Sequence, residues 1–289
     1  MTDVDQTGTA PRRYSDVEYV FEPNSTAMPS VGEYIRELWE RRRFMVAMAK
    51  ADLQGPRSST AIGELWGVLD PLFQAAIYWF LISIIRGGRG DGASYLSLVI
   101  SSVFLFNFTR ICLSEGGRSV IKAKGLMLNS TFPRALLPMA AVYRAVLTFA
   151  PSAAVYMVIH LLLRRPVGSG FFLLPLLFLI QTVLGLGLAF VFATLTVKVR
   201  DMSNLLNYLL RVLMFVTPVI YPVSLLSPTL QSILRINPLF SLFASYQAII
   251  LGGVPAVFDI VQSVMWAGLF LVLGARLFVS HERSFALHL

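Results

Sequence analysis

Charge, histidine and cysteine are all scarce in this chain of 289 residues, and each scarcity closes off a class of function. Charged residues make up 14% of the sequence against 56% hydrophobic, so a soluble globule of this composition would lack the polar surface to cover its own core. The three histidines, His160, His281 and His288, and the single Cys112 show no metal-ligand spacing. One cysteine closes no intrachain disulfide, and Cys112 reads as a packed small side chain. No Gly-rich segment ends in Gly-Lys-Ser/Thr, so the chain has no P-loop with which to bind ATP itself. A secretory leader is not expected either, because nothing before residue 65 combines a short apolar core with a small-residue cleavage site.

What the sequence has in abundance is long apolar runs, with a mean hydropathy of +0.68. A helix needs roughly 20 apolar residues to cross the hydrocarbon core. Six stretches qualify: Leu65 to Ile85, Tyr95 to Leu113, Ala135 to Leu163, Phe171 to Val197, Leu205 to Val223 and Val257 to Val279. Barrel strands would alternate apolar and polar residues, and Phe171-Phe172-Leu173-Leu174-Pro175-Leu176-Leu177 does not. The expected fold is all-α and polytopic, with six transmembrane helices. Six spans put both termini on one side. With that side cytoplasmic, 16 of the 24 lysines and arginines lie inside, Arg86, Arg89, Arg164, Arg165 and Arg235 lie outside, and Arg110, Arg144 and Arg211 remain within spans. The net charge of +8 is then a topology signal, and no nucleic-acid partner is expected.

Ahead of the membrane, residues 1–29 are polar, contain Pro11, Pro23 and Pro29, and read as a disordered cytoplasmic tail. Ser30 and Glu33 form a capping box opening an amphipathic helix over residues 30–54. Ile35, Leu38, Trp39, Met45, Val46, Ala49 and Leu53 share one face of it, so it should lie in the interface with Trp39 at headgroup level. Arg42 falls on that apolar side, placed either to snorkel to lipid phosphate or to meet a substrate anion. Gly55-Pro56 ends the helix, and the six-span region then runs over 60–289.

Two connections stand out. Ser114 to Arg134, between spans two and three, carries Arg118, Lys122, Lys124 and Arg134 against Glu115, with a short helix expected over Glu115 to Leu128, broken at Asn129-Ser130. It anchors the topology or docks a cytosolic partner. Between spans five and six, Leu225 to Ile236 and Leu239 to Leu251 read as two apolar helices divided by Asn237-Pro238, too short to cross. Irregular backbone is not tolerated against lipid, so they should form a re-entrant exterior pair, as a gate or as a packing lid. Inside the spans, Arg110 and Arg211 fall near predicted ends, whereas Arg144 and Asp70 lie deeper, and His160 reads as a satisfied interfacial histidine more readily than as a proton relay. With no cluster of membrane-face carboxylates, transport fits better than catalysis.

The order of several short motifs resembles the membrane subunit of ABC-2 type exporters, in the branch that moves polyprenyl-linked polysaccharides and teichoic acids. The motifs are Asp52-Leu53, Gly63-x-x-Trp66-x-x-x-x-Pro71, Phe132-Pro133-Arg134 with Leu137-Pro138, Arg200-Asp201, Thr217-Pro218-Val219-Ile220-Tyr221-Pro222, Asn237-Pro238, and Glu282 with Phe285-Ala286. Where relatives place Arg-Tyr before the Gly-x-x-Trp motif, this chain has Pro56-Arg57. The resemblance covers residues 31–289 and leans toward an actinobacterial cell-wall galactan exporter.

It implies a homodimer paired with two copies of a cytosolic ATP-binding subunit that holds ATP and magnesium, so the chain itself is no enzyme and carries no cofactor. It also implies that the 114–134 connection is the coupling segment, through Glu115, Arg118, Lys122 and Lys124, and that 225–251 forms gate helices. The substrate would be a lipid-linked glycan, its diphosphate met by Arg41, Arg42, Arg43, Lys50 and Arg57 beside membrane lipid. Its sugar rings would slide along Tyr78, Trp79, Phe104, Phe108, Tyr143, Phe190 and Tyr208, although rings in such a protein are more often lipid-facing or core. Other readings are an ABC-2 exporter of another lipid or drug, a membrane-embedded glycosyl or acyl transferase, and a channel or proton-coupled carrier.

Overall fold

The computed structural model describes residues 31–53, 65–85, 92–129, 132–199 and 201–285. The expected tail, the Ser30 cap, Pro56-Arg57, Gly63, Arg200 and Ala286 lie outside them. Among the described residues the chain is helical without strands: α1 (Val31–Glu40), α2 (Arg42–Leu53), α3 (Trp66–Ile85), α4 (Gly92–Lys122), α5 (Lys124–Asn129), α6 (Leu136–Leu162), α7 (Leu174–Lys198), α8 (Met202–Val216), α9 (Pro228–Leu234), α10 (Phe240–Ile250) and α11 (Val257–His281). Five of these, α3, α4, α6, α7 with the 3-10 turn before it, and α11, are long and apolar enough to cross a membrane. The chain is an integral membrane protein.

Helix α4 forms the centre, packed by α3, α6, α7, α8 and α10, with Leu98, Val99, Val103, Phe108, Cys112 and Leu113 almost fully buried. Helices α3 and α11 instead turn rows of large apolar side chains outward, among them Phe73, Ile77, Phe80 and Ile84 on α3. A lipid solvent tolerates that arrangement and gives little hydrophobic drive to helix association, so close packing at small residues carries more of the load. Gly187 of α7 lies so close to α11 that a Cβ there would sit 2.5 Å from the Leu271 nitrogen and the Phe270 carbonyl carbon, and a Cβ on Gly274 would collide in turn with the Gly187 carbonyl. Gly185 admits Cys112 in the same way, so the lone cysteine is a packing residue.

Two elements depart from expectation. The short helix expected over Glu115 to Leu128 is not separate: α4 continues to Lys122, because Gly116 and Gly117 let it keep packing on Ala189 and Phe192 of α7, and α5 follows over Lys124–Asn129. Span five is a helix of 15 residues ending at Val216, not a helix to Val223. At about 22 Å it falls short of the roughly 30 Å hydrocarbon core. Pro218 disfavours a helical Thr217, whose ψ is 140°.

The chain beyond that break is irregular, and buried polar side chains satisfy it. Asn237 Nδ2 donates to Thr217 Oγ1 at 2.8 Å. Gln247 Nε2 donates to the carbonyls of Pro218 and Tyr221 at 2.7 and 3.0 Å, while its Oε1 accepts from the Val223 N–H. Tyr95 donates to the Ile220 carbonyl. Non-helical backbone at membrane depth persists only where protein supplies its partners, which accounts for the Thr217–Pro222 and Asn237-Pro238 motifs. The divided pair is present as α9 and α10. Helix α10 is buried through Leu242, Phe243, Tyr246 and Ile249 and is followed by Gly252 with φ +89°.

Helices α1 and α2 are separate, with a turn at Arg41. They dock onto the end of the bundle formed by 132–139 and 278–285, where Tyr34, Leu38, Met48 and Phe132 cover a core of Phe190, Phe278 and Phe285. Ile35 and Trp39 point outward, at 59% and 68% exposure. This is the basic end of the molecule, and 217–256 lies at the other.

Candidate functional site

Between α3, α4 and α8, the otherwise apolar bundle carries an open cavity of about 330 Å³, whose residues Arg110, Asn207 and Arg211 are exposed. Helix α4 lines it with Asn107, Arg110 and Ser114, at the three- and four-residue spacing that puts side chains on one helix face. Helix α8 contributes Asn207 and Arg211, one turn apart, above Leu210 and Met214, and α3 adds Gln74. Arg110 is fixed on its own helix by Nε and Nη2, which donate to Asn107 Oδ1 at 3.1 and 2.6 Å. The Arg211 guanidinium lies 5.5 Å from the centre of the Tyr208 ring. Gln74 donates to the Tyr78 hydroxyl at 3.1 Å, which places Tyr78 beside the same wall. No carboxylate lines the cavity among the described residues.

Depth makes this arrangement informative. Gln74 stands eight residues into α3 and Arg211 nine into α8, or about 12 to 14 Å along each helix from the basic end. That is more than two turns into each helix. A cation at the bilayer centre costs roughly 2.5 to 3.5 kcal/mol on insertion scales and therefore marks a water-filled or ligand-filled space. The near-end placement expected for Arg110 and Arg211 missed this convergence. The signal was available as two polar stripes, Asn107-Arg110-Ser114 and Asn207-Arg211, inside apolar spans.

At the basic end, Glu115 accepts from Lys122 at 2.6 Å and pairs with Arg144 at 3.1 Å, so the deep arginine of α6 has its countercharge on α4. Arg118 is half-buried, and Lys122 and Lys124 are exposed at the tip formed by α4 and α5. Glu282 binds the incoming chain at three points: its carboxylate accepts from the Tyr34 hydroxyl at 2.6 Å and from the Arg134 N–H at 2.5 Å, and its carbonyl accepts from the Arg134 guanidinium. Burial pushes the Glu282 carboxyl above its ordinary range, against the opposing pull of those two donors. Burial and the Glu282 charge together push the Tyr34 phenol up as well.

The remaining sequence candidates fall into three groups. Arg41, Arg42, Arg43 and Lys50 are exposed on α1–α2. Arg41 pairs with Glu37, and Arg42 folds back onto the Trp39 ring and carbonyl, with its guanidinium 4.7 Å from the ring centre. Phe104, Phe108 and Phe190 are interior packing residues of the chain. Phe108 sits against Phe149 and Phe178, and Phe190 against Phe278. Tyr78, Trp79 and Tyr143 are half-buried, and Tyr208 is exposed on the α8 face beside the cavity. His160 is buried with Nδ1 3.1 Å from both the Ser97 and Tyr156 hydroxyls, and no cluster of metal ligands occurs among the described residues.

The sequence profile of ABC-2 type transporters matches residues 44–251, from α2 through the end of α10. The chain belongs to the ABC-2 type transporter family. The O-antigen export system permease protein RfbA of Myxococcus xanthus is 26% identical over 218 residues, covering 74% of this chain and 83% of that protein. Two proteins of the same name from Klebsiella pneumoniae are each 23% identical, over 73% and 84% of this chain and 81% and 93% of their own lengths. The family match spans the cavity, the broken end of α8 and the α9–α10 pair, so the features that set this bundle apart from a plain stack of spans lie within the shared region.

Proposed function

We propose that this chain is the membrane subunit of an ATP-driven exporter that carries a polyprenyl-diphosphate-linked polysaccharide, of the O-antigen or cell-wall galactan kind, from the cytoplasmic to the outer face of the plasma membrane. The observation that carries the reading is the cationic, amide-lined cavity within the bundle of an ABC-2 family member whose relatives bear the name of O-antigen export permeases. Both termini and the basic end face the cytoplasm. Two copies of the chain meet through the apolar α3 and α8 faces that flank the cavity, where Tyr208, Tyr78 and Asn207 offer ring faces and amides to sugar hydroxyls. Arg41, Arg42, Arg43, Lys50 and Arg57 collect the headgroup at the interface, and α9–α10 close the outer end.

Two cytosolic subunits bind ATP and magnesium and act on the tip bearing Arg118, Lys122 and Lys124. Because α4 is one continuous helix from that tip past Glu115 to Arg110, displacement of the tip is delivered to the cavity wall. The shift between closed and open states extends only as far as the ATP-binding subunit favours one of them. Extraction of the chain from its native membrane in mild detergent tests the assembly. An equimolar ATP-binding subunit is expected. Its reproducible absence from folded protein would overturn the reading.

A further inference from the structure

We infer that Arg110 and Arg211 form an intramembrane binding site for a phosphate or diphosphate group, and that this site takes the diphosphate of the lipid-linked substrate away from the interfacial helix. The inference rests on the exporter reading above and adds a site that neither the motifs nor the relatives assign. Two guanidinium groups reach one cavity from different helices, joined by the amides of Gln74 and Asn207 and the hydroxyl of Ser114. Guanidinium groups match phosphate oxygens in geometry and charge. Two cations and no carboxylate line this space among the described residues.

Neutral sugar hydroxyls would need only the amides and rings; the paired cations call for an anion. The volume of about 330 Å³ falls at the lower end of small-molecule sites, roughly 300 to 1,000 Å³, and suits a headgroup better than a folded glycan. On the surface helix, Arg41 is paired with the carboxylate of Glu37, whereas no carboxylate among the described residues lines the cavity. The interfacial cations are thus a first contact, and the cavity is where the charged group rests inside the membrane.

The test uses the full chain with its copurified ATP-binding subunit in phosphatidylcholine nanodiscs, and reads retention of a radiolabelled polyprenyl diphosphate. Wild type should retain the probe. Arg110→Gln with Arg211→Gln should weaken retention at least about tenfold, as expected for loss of charge-assisted contacts, and Arg110→Lys with Arg211→Lys should recover part of it. Should the glutamine pair fail to fold, Asn207→Asp, which sets a carboxylate one turn from Arg211, is expected to weaken retention comparably. Competition by inorganic pyrophosphate but not by polyprenol supports recognition of the phosphates. Equal displacement by phosphatidylglycerol would assign the site to ordinary anionic lipid and overturn the inference. Undiminished retention by the folded glutamine pair would also overturn it while leaving the exporter reading intact. An assembled wild-type complex that retains no probe would overturn the lipid-linked substrate together with the site.

Discussion

Gly187→Ala tests the packing account most severely, because the atoms it meets belong to backbone. The new Cβ would stand 2.5 Å from the Leu271 nitrogen and the Phe270 carbonyl carbon and 2.7 Å from the Phe270 oxygen. Ordinary contact lies near 3.5 Å or beyond, so α11 must retreat by about 1 Å along its tightest interface. Overpacking costs typically 1 to 3 kcal/mol, with the upper end expected where no flexible side chain can yield. Alanine returns about 1 kcal/mol of helix propensity. The net loss is then about 2 kcal/mol, or a fall of roughly 3 °C in melting temperature for a domain of this size. The assay is thermal unfolding of the purified chain in detergent by intrinsic fluorescence. Gly268→Ala on the same α11 is the control: its Cβ meets nothing within 4 Å, so it should match or exceed wild type. A Gly187→Ala protein that melts with wild type, or a Gly268→Ala protein that loses as much, would refute the reasoning.

Glu282→Ala strands the Tyr34 hydroxyl and the Arg134 N–H, at about 1 to 3 kcal/mol for each buried donor left unmade, and limited proteolysis should then cut within α1 more rapidly. Because burial raises the folded Glu282 carboxyl above its unfolded value, its contribution to stability is complete below the ordinary carboxylate range and is lost as pH rises through the raised value. Melting temperature should therefore gain from mild acidification in wild type by more than in Glu282→Gln. Glu115→Gln removes the partner of Arg144, whose side chain is 24% exposed; a loss of about 2 kcal/mol, between surface and buried pairs, is expected in the same melting assay. Asn237→Ala uncouples Thr217 from the start of α10, and hydrogen exchange should rise at residues 217–223 by a factor corresponding to about 1 to 3 kcal/mol.

Much of the bundle could be read directly from runs of apolar residues, since a run such as Phe171 to Val197 has few alternatives to a spanning helix. Where the reading overran, local chemistry was outweighed by context or overlooked. Charges at Glu115, Arg118 and Lys122 suggested a short helix apart from the second span, yet Gly116 and Gly117 keep α4 against α7 for two further turns. Hydropathy carried span five through Thr217-Pro218, although the proline stops the helix there. Gln247 attracted no notice in an apolar segment and turns out to satisfy three backbone groups of the broken chain. The cavity was the hardest feature to anticipate, because Arg110 and Arg211 are distant in sequence and only packing brings α4 and α8 together. Aromatic residues are ambiguous for the opposite reason: Phe108 and Phe190 have the chemistry to stack on sugars, and their neighbours within the chain are other rings.

Depletion of the chain in its native cell, followed by localisation and mass analysis of lipid-linked glycans on each face of the plasma membrane, bears most directly on what it transports. The account predicts that a polyprenyl-diphosphate-linked polysaccharide accumulates on the cytoplasmic face while its mature form disappears from the surface. Unchanged surface polysaccharide, with a different lipid or drug retained inside, would contradict it.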